Sequence, residues 1–140
     1  MADDVALLIA DVYELAGALR RIGETTAAAE GQTQARWQLL SVVSENPETV
    51  PRAARRLGVT RQAVQRVANE LVDGGLAEFR TNPDHRTSPL LTLTPAGQKT
   101  LGAINDRARA HHRSVRRDIG DDEIRTARSV VRSLLRSLPQ

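Results

Sequence analysis

Residues 49–75 read TVPRAARRLGVTRQAVQRVANELVDGG, and the breaks in this stretch set the fold. Thr49 is a good N-cap residue and Pro51 is tolerated in a first turn, so residues 49–57 form a short helix. Gly58-Val59 interrupts it. Thr60 caps a second helix that runs to Asp73, where Gly74-Gly75 ends it. Two helices joined by a tight glycine turn make a helix-turn-helix. In the second helix Val64, Val67, Ala68 and Leu71 recur at i, i+3, i+4 and i+7, the pattern of a buried stripe. Arg61, Gln62, Gln65, Arg66 and Asn69 are left facing outward.

That outward set has the chemistry of base recognition. Glutamine and asparagine can make bidentate contacts to adenine, and arginine to guanine. Thr60 and the first-turn amides can hold a phosphate at the helix N-terminus. No acid lies between Glu48 and Glu70, a stretch that carries Arg52, Arg55, Arg56, Arg61 and Arg66. Residues 1–47, by contrast, have a net charge of −4. A basic block inside a chain of net charge +3 suits a phosphate-facing surface. The plainer reading is a solvated arginine-rich face. Arginine outnumbers lysine 19 to 1, but along the whole chain, so the bias singles out no surface.

Downstream, residues 76–80 and 90–94 alternate as short strands around TNPDHRTSP, with Asn82-Pro83-Asp84 as turn formers. The hairpin loop carries His85 and Arg86, with Arg80 at its base. An arginine at a hairpin tip can enter the minor groove, where narrow A·T segments concentrate negative potential. Upstream, residues 33–45 form a helix stopped by Pro47. Residues 4–22 place Val5, Leu8, Val12, Leu15, Leu19 and Ile22 at spacings of 3 and 4, a coiled-coil-like seam. Residues 23–32 are small and polar, so that helix frays or ends there. Pro95 opens a long helix over 96–118. Asp121, Asp122 and Glu123 then start a last helix that carries Ile124, Ala127, Val131, Leu134 and Leu138 on a second seam. A sustained seam needs a partner surface, within the chain or on a second copy.

Composition narrows the function classes. Aromatics make up 2% of the chain, so the core is aliphatic. Without cysteine there is no disulfide, thiolate zinc site or iron–sulfur cluster. No apolar run approaches the roughly 18 residues of a membrane helix. Asp3 and Asp4 stand where a signal peptide would be basic, which points to a cytoplasmic protein. No phosphate-binding glycine loop or nucleophile elbow is present, so no catalytic residue and no cofactor is expected. His111 and His112 are adjacent on a helix and diverge, which disfavours a metal site.

The stretch RRLGVTRQAVQRVANELVDGGLAEFR, followed by NPDHRTSPLLTLTPAG, resembles the MarR family of winged helix-turn-helix regulators. The resemblance covers nearly the whole chain. Asp84-His85-Arg86 and Leu93-Thr94-Pro95-Ala96-Gly97 stand where the family has its wing motif and strand end. This wing is one residue longer and contains Pro89. The resemblance implies a mainly α (α+β) chain, residues 1–140 forming one domain. Its winged helix-turn-helix lobe spans 33–95, and its dimerisation region 1–31 and 96–140. It further implies a homodimer on double-stranded DNA with a pseudo-palindromic operator. Arg86 would lie in the minor groove with Asp84 holding it. A small, often phenolic, effector would relieve repression from a cleft for which Tyr13, Trp37 and Arg20 are candidate lining residues. The competing reading is a winged-helix protein-interaction module, and the basic, amide-rich face of the second helix argues against it.

Overall fold

The computed structural model describes residues 3–139. In chain order it holds α1 (Asp4–Ala28), α2 (Gln34–Glu45), α3 (Val50–Leu57), α4 (Arg61–Asp73), β1 (Ala77–Arg80), β2 (Leu90–Leu93), α5 (Pro95–Asp118) and α6 (Asp121–Ser137). The architecture is mainly helical with one small antiparallel sheet, a winged helix-turn-helix. The chain divides into two compact units, one up to Asn105 and one from Asp106.

The first unit closes on an aliphatic core. Leu39, Leu40, Val42 and Val43 of α2 pack with Ala53 and Ala54 of α3 and with Val64, Val67, Ala68 and Leu71 of α4. Ala77 of β1, Leu91 of β2 and Leu101 of α5 complete the cluster, and Trp37, Leu57 and Phe79 flank it. The stripe read from residues 64–71 is thus the buried face of α4.

Local chemistry sets the element ends. The hydroxyls of Thr33, Thr49 and Thr60 accept the N3 amides of α2, α3 and α4, from Arg36, Arg52 and Ala63 at 3.1, 3.3 and 3.1 Å. Gly58 has φ +68, the left-handed conformation that closes α3, and its N–H donates to the Arg55 carbonyl. This turn aims α4 across α3.

The wing pairs β1 with β2 in the register Ala77↔Leu93 and Phe79↔Leu91. Glu48 adds an antiparallel bridge to Leu91, so the segment before α3 joins the sheet edge. After β2, Thr94 ties three segments together. Its hydroxyl donates to the Gly75 carbonyl at 2.6 Å and accepts the Gly97 amide at 3.1 Å. A Cβ at position 97 would sit 1.9 Å from the Leu76 carbonyl oxygen, so only glycine allows α5 to start this close to the wing.

Helix α1 runs past Ile22 and ends at Ala28, inside the 23–32 stretch. The small residues that suggested fraying instead allow close packing. Gly23 approaches Gln34 so tightly that a Cβ there would lie 2.7 Å from the Gln34 side chain. Thr26 and Ala27 are buried, and the Thr26 hydroxyl donates to the Ile22 carbonyl within its own helix. Upstream the seam is uncovered: Val5, Leu15 and Leu19 are each more than half exposed. In the second unit, α6 starts with the Glu123 carboxylate accepting the Gly120 amide at 3.1 Å. Val131 and Leu138 are exposed there, and Ile124 and Leu134 are half-buried.

Candidate nucleic-acid interface

Arg61, Gln62, Gln65, Arg66 and Asn69 are all exposed along α4. The first-turn amides of Arg61 and Gln62 precede the capped amide of Ala63, so they lack intrahelical acceptors and point out of the helix end. Thr60 accepts from Ala63, which leaves its hydroxyl proton free to donate. The amide side chain of Gln65 donates to Asn69 Oδ1 at 3.0 Å, which fixes the two residues relative to each other. Glu70, the first acid of the helix, is turned off this face by Arg36 of α2, 3.4 Å away.

Two grooves separate α4 from the wing. One, of about 640 Å³, is lined by Gln62, Gln65, Phe79, Thr87 and Pro89. The other, of about 690 Å³, gathers Arg52, Arg55, Arg61, Asp84 and His85. The helix-turn-helix thus lines the second groove with three arginines, and the wing faces them with Asp84 and His85. Between α2 and α4 lies a mostly apolar pocket of about 210 Å³, lined by Leu39, Leu57, Val59, Ala63 and Val67 together with Gln34, Gln38 and Arg66.

Not every predicted base is free. Arg52 Nε lies 3.4 Å from the buried Glu48 carboxylate. Arg80 donates from Nε and Nη2 to a single oxygen, Oε1, of Glu78 on its own strand, at 3.0 and 2.7 Å. Arg56, outside the predicted set, donates to Glu45 at 2.8 Å, and that bond raises its pKa above the usual guanidinium value. His85 Nδ1 lies 3.0 Å from the Thr87 hydroxyl. Arg86 is exposed on the wing loop. Among the described residues no bond or ion pair joins Asp84 to Arg86; the Asp84 amide instead donates to Asn82 Oδ1. Tyr13 and Arg20 lie exposed on α1, while Trp37 is half-buried and donates its indole N–H to Asn105 at 3.0 Å.

Two residues of this surface escaped the sequence reading. Asn82 read only as a turn former, and Glu48 only as the last acid before the basic block. Their roles depend on partners 6 and 43 residues away, Ser88 and Leu91. The proline after Asn82 was the one local hint, since it fixes the chain direction beyond that side chain.

A sequence profile of the MarR family matches residues 31–86, the span from the start of α2 to the wing tip. The crystal structure of a MarR family transcription regulator, 26% identical, superposes with a TM-score of 0.80 over 96% of this chain and 89% of that one. The chain belongs to the MarR family. An uncharacterised protein of Mycobacterium tuberculosis is 70% identical to this MarR-family chain over 108 residues, 77% of the chain and 76% of the relative. A Thauera aromatica protein, named for transcriptional regulation of the hcr operon, is 28% identical over 120 residues, 85% of the chain and 72% of the relative. The MarR fold is also shared with a mutant of Escherichia coli MarR solved in complex with operator DNA. That structure is 19% identical with a TM-score of 0.79, over 96% of this chain and 99% of that one. Among the described residues no helix is long and apolar enough to cross a membrane.

Proposed function

We propose that this chain is a homodimeric, sequence-specific binder of double-stranded DNA that represses transcription from a pseudo-palindromic operator. The carrying observation is the face of α4. Five exposed side chains, two of them arginines and three amides, line a helix whose N-terminal amides point outward and whose first acid is held elsewhere. Amides and guanidiniums supply the donors and acceptors that match base edges in the major groove. Arg52, Arg55 and Arg61 face phosphate across the groove toward the wing, with Thr60 at the helix end. Arg86 and His85 reach the minor groove, with Arg80 at the base of the hairpin. The E. coli relative bound to operator DNA supports the use of this fold on DNA.

On this reading residues 33–95 are the DNA-binding lobe. Residues 1–31 and 96–140 are the dimerisation region, with Leu101 of α5 lending itself to the lobe core. The uncovered seam of α1 supports a second copy as its partner. A two-fold dimer sets its recognition helices about one DNA turn apart, which makes the operator palindromic. Relief of repression by a small phenolic ligand belongs to the same reading, in a cleft between the dimerisation helices and the DNA-binding lobe with Tyr13, Trp37 and Arg20 as candidate lining residues. The chemistry needs no catalytic group and no cofactor.

Fluorescence anisotropy on labelled duplexes tests the proposal. Arg86→Ala should weaken binding to all sequences, whereas Arg61→Ala and Gln65→Ala should change sequence preference. Affinity should fall steeply with salt as arginine–phosphate contacts release counterions. Unchanged affinity in all three variants, or a flat salt response, would favour a protein-interaction module.

A further inference from the structure

The loop that presents Arg86 is closed by a residue with no assigned role. Asn82 is only 8% exposed, although it sits at the start of a nine-residue connection between β1 and β2. Its side chain is used at both ends. The amide nitrogen donates to the Ser88 carbonyl at 3.1 Å, across the neck of the loop. Its Oδ1 accepts the Asp84 amide at 3.1 Å. The backbone carbonyl of Asn82 accepts the His85 amide at 3.2 Å, and the His85 carbonyl accepts the Ser88 amide at 3.1 Å. Every one of these bonds lies within the segment that flanks Arg86. Asp84 contributes only its backbone amide; its side chain is exposed.

We propose that Asn82, and not Asp84, is the positioning residue of the wing, holding the loop closed so that Arg86 is presented in one place. The proposal rests on the reading of Arg86 as a DNA contact. A free loop must be ordered when it binds, and the lost freedom subtracts from affinity. A neck closed in advance avoids that loss. Asparagine is the residue that can do this, because one side chain both donates and accepts. Aspartate could keep the acceptor for the Asp84 amide, but it would set a carboxylate against the Ser88 carbonyl.

The test combines affinity with backbone dynamics, using a labelled duplex with A·T tracts flanking a mixed core. Arg86→Ala should lower affinity about tenfold, the size of one lost hydrogen bond to a charged group. Asn82→Ala should lower it by a similar factor, Asn82→Asp by nearly as much, and Asp84→Ala by less than about twofold. The double variant of Asn82 and Arg86 to alanine should be no weaker than Arg86→Ala alone, because the two act as one unit. A merely structural effect would add to the Arg86 loss. Nitrogen relaxation of the free protein reads the positioning without DNA. His85 and Arg86 should lose order in Asn82→Ala and keep it in Asp84→Ala. Full order in Asn82→Ala, or additive affinity losses, overturns the proposal. Affinity unchanged by Arg86→Ala, with order lost in Asn82→Ala, would instead remove the minor-groove reading and leave the clamp standing.

Discussion

Helix α1 and the lobe from α2 to β2 draw on the same aliphatic residues with opposite outcomes. Leu39, Leu40, Leu71 and Leu91 are at most 1% exposed, while Val5, Leu15 and Leu19 are 54–57% exposed. Apolar spacing shows that a face is to be covered, not what covers it. In the lobe, three neighbouring elements and a two-stranded sheet close over the stripe within about sixty residues of chain, the span of one small core. Along α1 only the last turns, at Gly23, Thr26 and Ala27, find a partner in α2. The lobe thus closes its own core, whereas the seam of α1 is left exposed.

The comparison can be broken most strongly at the seam. Leu15→Glu combined with Leu19→Glu would bury two charges from each protomer, four in all, in the proposed two-fold interface, a cost of several kcal/mol. Light scattering should then find monomers, with the helical signal of the lobe retained. Dimers of unchanged stability would show that the seam is not the interface. The next effect contrasts the two regions directly. Leu71→Ala should cost about 2–5 kcal/mol in denaturant unfolding, because it opens a cavity in a closed core. Val5→Ala, at an exposed seam position left intact in that monomeric background, should change stability by less than about 0.5 kcal/mol, as at other surface sites. Comparable losses at the two positions would erase the distinction. A smaller effect than that of Leu71→Ala sharpens the recognition helix. Thr60→Ala removes the cap on Ala63 and should cost about 1 kcal/mol. Its effect on DNA affinity should exceed its effect on stability, since the same hydroxyl can donate to phosphate; thermal melts and anisotropy on one sample would separate the two.

What was legible in the sequence follows from the range of each interaction. The buried stripe Val64, Val67, Ala68, Leu71 and the outward face Arg61, Gln62, Gln65, Arg66, Asn69 depend only on helical period, and the structure reproduces both. Thr49, Thr60 and Gly58 act on atoms within five residues, so their capping roles could be read directly. The extension of α1 to Ala28 could not, because Gly23 and Thr26 look like fraying until α2 is laid against them. The wing is the sharpest case. The resemblance directed attention to Asp84, but Asn82 spans the loop, and the bridge from Glu48 to Leu91 is invisible until α3 and β2 meet. The ion pairs of Arg52 with Glu48 and of Arg80 with Glu78 show likewise that a basic residue in the right place is not always a free one.

The most direct test is selection from a pool of randomised duplexes by the purified protein, followed by sequencing of what it retains. The account expects an enriched inverted repeat with half-sites about 10 base pairs apart, centre to centre, whose preferred bases change in Gln65→Ala. Retention with no enriched sequence, or a single half-site without a repeat, would contradict a two-fold reader built on α4.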